Sequence, residues 1–462
     1  MNFWYRVKSA LTKLFGKNKM TVTQNQITEN AEFEDAYEKQ AGYNIRAIFA
    51  NTVAMHVTME SAAGVYEQNG DKRTQTKRTE LLDKAVQRLW FDIKRIVARV
   101  CGTGGAAIAP YVEAGEIYYD IVAQGCIAIN RMRGDEIVAA TVLADEAEIN
   151  GYKYYRWIDY SIDTDGDKNV LTITNKAVRG AEQSPVPLAD IEQWAGIAEE
   201  IRINNVDRVP FAYIKSPADN RRVNNVYGVP LTYGHEDIIA DIAQTLKQID
   251  KEYELKEPQL GIDDRLLDVK GKKPRQGIYR LLNGGSVKDK PMWEIFDPAI
   301  RDSSFYNKLQ NQFALLEKAV GTSRGVLTDR TTTAATATEI FSSNRETHAL
   351  VEDVRNAVEK GLRDFLYACN MLAEYANLTP PSGYTFSIEW DYSLIENSSE
   401  TWAQMLQGRD AGVVSGAELR GYLFGSESRE DAQKAVDAIA KAEPPLRNML
   451  IGAGGGAGYA EQ

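Results

Sequence analysis

From Ala337 to about Ala376 the chain carries one sustained helical pattern, with Val351, Val354, Val358, Leu362, Phe365, Cys369 and Leu372 recurring every three or four residues. At about 1.5 Å per residue such a helix is roughly 60 Å long, longer than most globular domains are wide. A helix of that length usually crosses an assembly or lies between subunits. It opens on Thr336-Ala-Thr-Glu339, a capping-box pattern in which Thr336 and Glu339 each satisfy an orphan amide. Just before it the sequence "TTTAAT" is all threonine and alanine, within a polar loop, 321–335, between two apolar helices.

The other elements are read the same way. Residues 30–65 and 77–100 are predicted helical, the second with a stripe of Leu81, Leu82, Val86, Leu89, Ile93, Ile96 and Val97. The period then shortens. "AAIAPYVEAGEIYYDIVAQGCIAINR", "IVAATVL", "YKYYRWIDYSI" and "NVLTITN" predict strands to about residue 214, with "DTDGDKN" as a hairpin turn. A Pro/Asn/Gly-rich connection over 215–230 leads to a helix over 231–257 that Pro258 stops. Short strands and a basic cluster occupy 259–300, and a helix over 303–320 ends at Gly321, which suits a left-handed stop. "YTFSIEW" predicts one late strand, and two or three short helices follow from Ser398 to Glu443. The tail "IGAGGGAGYAEQ" is too glycine-rich to pack and is predicted disordered. The fold class expected is α+β, mainly helical.

Composition narrows the chemistry. The formal net charge of -11 argues against tight, nonspecific binding to nucleic acid. Cys101, Cys126 and Cys369 are odd in number and far apart, which fits a reducing cytosol better than a disulfide framework. The segment "MNFWYRVKSALTKLFGKNKM" carries Arg6, Lys8, Lys13, Lys17 and Lys19 and no acid. Lys8, Thr12 and Lys13 interrupt any signal-peptide core, so it reads as a basic arm that docks on another protein or stays mobile, with a membrane-surface helix as the alternative. No window is long and apolar enough to span a bilayer.

Catalytic motifs fail one by one. "GTGGA" at 102–106 resembles a dinucleotide fingerprint, but that motif needs a strand before it and a helix after, and the predicted order is reversed. Asp163, Asp165 and Asp167 hint at a calcium loop, yet Lys168 and Thr174 stand where Gly and Glu are required. No Walker A sequence and no nucleophile elbow occur, and His56, His235 and His348 are isolated from one another. Neither a catalytic site, a metal nor a cofactor is expected.

Five stretches, in order, resemble the portal or head-to-tail connector proteins of tailed double-stranded-DNA phages, siphophage-type branch. "CGTGGAAIAPYVEAGEIYYDIV" is similar to a wing strand region and "NNVYGVPLTYGHEDIIADI" to the entry of a first stem helix. "WEIFDPAIRDSSFYNKLQNQFALLEKAVGTSRGVL" resembles a clip exit, second stem helix and start of a tunnel loop. "TATEI" resembles the opening of the long helix, and "IEWDYSLIENSSETWAQMLQGRDAGVVSGAELRGYLFG" a late acidic strand with a helix pair around an Ala-Gly-x-x-Ser turn.

The resemblance implies a basic arm at 1–29, a wing at 30–225, a first stem helix at 226–258, a clip at 259–300 and a second stem helix at 301–320. It further implies a tunnel loop at 321–336, a long wing helix and strand at 337–395, a small crown at 396–445 and the Gly-rich tail at 446–462. It implies a dodecameric ring at one capsid vertex of the virion, made in the host cytoplasm. Double-stranded DNA would pass through its channel, driven by the terminase large subunit, with a head-completion adaptor and the major capsid and scaffolding proteins as further partners. No enzyme activity and no membrane partner are expected. The DNA-facing residues implied are Arg324, Thr328, Arg330, Thr331, Thr332 and Thr333 on the tunnel loop. Lys270, Lys272, Lys273 and Arg275 on the clip would contact DNA, the motor or an adaptor, or merely solubilise a turn. Two alternatives stand beside it: a capsid or scaffold component that never touches DNA, and a metal-dependent hydrolase using some of the aspartates.

Overall fold

The computed structural model describes residues 24–39, 42–70, 72–165, 168–180, 184–221, 226–255, 259–263, 278–281, 293–296, 301–329, 337–390, 398–424 and 429–442. Nine α-helices and fifteen strands occur among the described residues, so the chain is mixed α and β. It divides into two compact units. One comprises Met1–Tyr66, Gln75–Thr333 and Ser343–Trp390, and the other Glu67–Thr74, Ala334–Ser342 and Asp391–Gln462.

The first unit is organised by α3 (Lys77–Thr103), whose predicted stripe is its buried face. Leu82, Val86, Leu89, Ile96 and Val97 pack with Phe49, Val53 and Val57 of α2 (Ile45–Thr58) and with Val354, Val358, Leu362 and Phe365 of α6 (Ala337–Tyr375). The pattern that predicted α6 is thus its core-facing side. Burying side chains of this size contributes about 1.5–3 kcal/mol each, which is why the long helix is anchored through residues 351–369. Thr76 caps α3 by accepting from Thr79 N while its own amide donates to Thr79 Oγ1. A capping box is therefore present at α3; the one expected at Thr336 lies outside the described residues.

Residues 30–65, expected to be helical, contain α1 (Gln24–Glu38), α2 and the start of β1 (Ala62–Asn69). The break between the helices has a cause in Asn44. Its side-chain oxygen accepts from Ala47 N at 3.1 Å, while its amide donates to the carbonyls of Ala36 and Tyr37. Helix α1 begins inside the segment read as a basic arm.

At the end of α3, Gly104 adopts φ 104° and β3 (Gly105–Glu113) follows at once. The order is helix then strand, as the failed dinucleotide match required. A Cβ on Gly104 would lie 2.5 Å from the carbonyl oxygen of Gly228, so two glycines let two backbone segments cross here. Strand β3 sits between β4 (Glu116–Ala123) and β11 (Ala212–Lys215). A larger antiparallel sheet runs β10 (Glu200–Asn204), β8 (Lys168–Arg179), β7 (Tyr152–Asp165), β6 (Glu136–Ile149), β5 (Ile127–Arg133), with β9 (Ser184–Val186) paired on β8 and the buried Trp157, Ile162 and Leu171 in its core. Its β7–β8 hairpin closes with Asp165 opposite Lys168, and Asp163 is held by Arg131 at 2.9 Å and Ser161 at 2.7 Å. Asp163 and Asp165 are thus among the last residues of β7 rather than turn residues, and Asp167 lies outside the described residues.

Helices α4 (Glu236–Leu255) and α5 (Asp302–Val320) pack on each other through Ile242 and Leu316, with Ile238, Leu246, Leu309 and Phe313 alongside. Between them in sequence lies a three-stranded sheet, with β12 (Gln259–Asp263) parallel to β13 (Ile278–Leu281) and antiparallel to β14 (Trp293–Phe296). Gly321 ends α5 at φ 82°, the left-handed stop expected there. In the second unit, α7 (Ser398–Asp410) turns through Gly412 at φ 75° into α8 (Gly416–Phe424), followed by α9 (Arg429–Ala442). Ser415 caps α8 reciprocally with Glu418, which accounts for the Ala-Gly-x-x-Ser wording.

Candidate functional site

The segment from α5 to α6 is the candidate site, and its first half is not a slack connector. Glu317 sits in the last turn of α5 with 1% of its surface exposed. Its carboxylate accepts from the backbone N–H of Leu327 at 2.6 Å and of Thr328 at 3.0 Å, and from the Thr328 hydroxyl at 3.0 Å. A buried carboxylate with three donors is a strong anchor, because hydrogen bonds to an ionised acceptor are about twice as strong as neutral ones.

Further bonds fix the same turn on both sides. Thr322 N donates to Glu317 O at 2.8 Å. Ser323 N donates to Thr347 Oγ1 at 2.9 Å, and Thr347 N to Ser323 Oγ at 3.3 Å, tying the turn to α6. Gly325 N donates to the Thr328 hydroxyl at 2.8 Å, and Asp329 N to Gln310 Oε1 at 3.1 Å. The Tyr306 hydroxyl donates to the Asp329 carboxylate, which raises the phenol's pKa. The residue after Ser323's partner Thr347 is His348, which lies near other positive charges. Burial first, then the charges of His56 and Arg355, lower the pKa of His348.

This geometry sorts the residues expected to face DNA. Arg324 is exposed at the apex of the fixed turn and makes no ion pair among the described residues. Thr328 is half-buried, its hydroxyl donating to Glu317 and accepting from Gly325, so it acts as a strut of the turn. Arg330, Thr331, Thr332 and Thr333 lie outside the described residues, as do Lys270, Lys272, Lys273 and Arg275. The structure thus brings together Arg324 and Thr328 alone of that set.

Sequence reasoning missed Glu317, Thr347 and Gln310, the residues that shape the turn. It also missed Arg345, a second exposed guanidinium two residues before Thr347. The available signal was an acid directly after Leu316 in the apolar stripe, four residues before the terminating glycine. What the arrangement can do is present a cation on a rigid turn. Among the described residues no group of three or more His, Cys, Asp or Glu side chains is placed to hold a metal ion. No described helix is long and apolar enough to cross a membrane.

No family model matches the sequence, and no curated protein does. Among solved structures, a chain described as the virion of native gene transfer agent (GTA) particle aligns with 91% of this chain and 99% of its own length, at 10% identity and a TM-score of 0.44. Function therefore has to be argued from this chain's own residues.

Proposed function

We propose that this chain is a portal-type subunit, assembling side by side with copies of itself into a closed ring through which double-stranded DNA is packaged and ejected. Besides the sequence resemblance, the observation that carries this reading is the surface of the α4–α5 pair. Tyr253, Tyr306 and Leu315 are 55%, 49% and 54% exposed on it, separate apolar side chains that neighbouring copies would cover in a ring. Charge is divided between the two helices. Helix α4 carries Glu236, Asp237, Asp241, Asp250, Glu252 and Glu254 against Lys247 and Lys251, whereas the outer side of α5 presents Lys308 and Lys318. The acidic helix α4 of one copy against the lysine-bearing side of α5 of the next is a heterologous contact, the kind that closes into rings when the rotation allows.

The fixed turn fits a conduit. A clamp with many phosphate contacts holds DNA tightly, and each bound register would be a barrier to movement. One exposed Arg324 per subunit on a rigid turn, repeated around a ring, gives an even and weak field in an otherwise acidic chain. The terminase large subunit, a head-completion adaptor, and the major capsid and scaffolding proteins are the partners this reading implies, with the capsid vertex of the virion as the place. The chain itself is taken to be no enzyme.

Native mass spectrometry of the purified chain tests the ring, with a closed species of about twelve copies expected. A monomer or dimer under every condition contradicts it, and activity lost on adding chelator would favour a metal-dependent hydrolase. Replacing Arg324 and Arg330 together with alanine is expected to leave ring mass unchanged while lowering DNA packaging or retention. Unaltered packaging would sink the role given to the turn, and the ring would stand.

A further inference from the structure

We infer that α1 is a strap whose docking is set by protonation of Glu34, closed in acidic solution and loosened as the pH rises toward neutrality. This does not depend on the ring reading. The sequence of α1, "QNQITENAEFEDAYE", contains Glu29, Glu32, Glu34, Asp35 and Glu38 and no lysine or arginine. Three of these acids lie toward its C-terminal end, where the helix dipole disfavours negative charge. A helix of 15 residues with that composition is marginal on its own, so its order comes from what it touches.

What it touches is unusually polar. Its buried side chains are Asn30, Ala31, Phe33 and Glu34, the last with 0% exposure. Glu34 Oε2 lies 2.5 Å from Arg99 Nη1 of α3, while Oε1 is buried with no hydrogen-bond donor. Four residues earlier, Asn30 Oδ1 accepts from Gln124 Nε2 at 3.0 Å, and its own Nδ2 is also buried without an acceptor. Gln124 in turn accepts from the Tyr213 hydroxyl at 2.6 Å and donates to Gly228 O at 3.0 Å. The strap is thus seated on the junction of α3, the β4–β5 connection, β11 and the segment before α4.

The charges facing Glu34 can be named element by element. From α1 itself come Glu38 and Tyr37; from α3, Arg99 and Cys101. The β4–β5 connection supplies Cys126 and the amides of Gln124 and Gly125, which approach the carboxyl without closing a hydrogen bond in good geometry. Glu146 of β6 lies beyond Cys126, and Tyr213 comes from β11. Arg46 of α2 and Tyr233 face Phe33 instead, Arg46 5.8 Å from its ring centroid, and Tyr233 also reaches Glu29. Among the described residues Arg99 is the one cation against the carboxyl, and it is shared, because its Nη2 binds Glu38 at 2.9 Å. Burial therefore outweighs Arg99 and pushes Glu34 up from 4.5 to about 7.

The sign follows. An undocked α1 exposes Glu34 at its ordinary value, so the docked state binds the proton more tightly. Its contribution to docking is complete below about 4.5 and is lost as the pH rises to about 7. Between pH 6 and pH 8 the opening constant of α1 should grow about tenfold.

Hydrogen exchange on the full chain at pH 6 and pH 8, corrected for intrinsic rates, tests it. The amides of 24–38 should open about tenfold more at pH 8, while those of the α3 core do not follow. Glu34→Gln should remove the difference. A wild-type response that is flat or reversed overturns the inference, as does an unchanged slope in Glu34→Gln. If that variant fails to fold, the wild-type comparison alone decides.

Discussion

Glu317→Ala is the most informative single substitution, because one side chain shapes the candidate site. It removes the acceptor for Leu327 N, Thr328 N and the Thr328 hydroxyl at once, at 2.6, 3.0 and 3.0 Å. A hydrogen bond to a charged group contributes about 1.5–3 kcal/mol. The three share one carboxylate, however, and their donors are half-buried, so water recovers part of each loss. The net cost should be about 3 kcal/mol rather than the sum. It should fall on the turn rather than on the whole fold, since Leu316 and Val320 still bury α5 against its neighbours. Local opening by about 3 kcal/mol corresponds to roughly 100-fold faster exchange at Leu327 and Thr328, with α3 unaffected. Glu317→Gln keeps an acceptor for the amides and should lose about 1 kcal/mol. Unchanged protection of 325–329 in Glu317→Ala would refute the claim that this carboxylate holds the turn. In the ring assay that variant should still assemble, and its DNA retention should fall as Arg324 loses its fixed position.

Three further outcomes are expected. Gly104→Ala should cost about 3 kcal/mol in denaturant unfolding, because φ 104° strains any side chain and the new Cβ meets Gly228 O at 2.5 Å; a cost under about 1 kcal/mol would contradict the backbone crossing. Arg78 is buried and donates to Asn370 O, Asn370 Oδ1 and Thr379 O at 3.1, 2.9 and 2.7 Å, tying the start of α3 to the end of α6. Arg78→Ala should lower stability by about 3–5 kcal/mol, with Arg78→Lys recovering little of it. Burial pushes the Cys101 thiol up to about 12 and raises Cys126 and Cys369 as well, so a thiol reagent at pH 8 should label none of the three until the protein is denatured.

What was legible in the sequence was whatever a period encodes. The stripes of α3, α5 and α6 appeared where the apolar spacing put them, because a buried helix face leaves a 3.6-residue trace. Gly321 stopped α5 because a left-handed residue at that position has few chemical solutions. The breakdown of 30–65 into α1, α2 and β1 was not legible, since it depends on Asn44 reaching back to carbonyls of the preceding helix. The capping box read at Thr336 belongs to residues outside those described, while the one at Thr76, built by two threonines, has no Glu or Gln to announce it. At the candidate site composition suggested only a polar loop over 321–335, and it did not show that 321–329 is fixed by hydrogen bonds. A polar side chain that spends its hydrogen bonds on backbone looks in sequence just like one that faces water, and Thr328 is such a case. The buried Glu317 and Glu34 escaped for the same reason: acids are read as solvated unless a partner is seen.

The most direct measurement is an electron-microscopic class average of the purified particle viewed down its symmetry axis. A closed annulus with an open centre wide enough for a DNA duplex is expected, built from copies that meet through the acidic flank of α4 and the basic flank of α5. Solid particles without rotational symmetry or a lumen would contradict it.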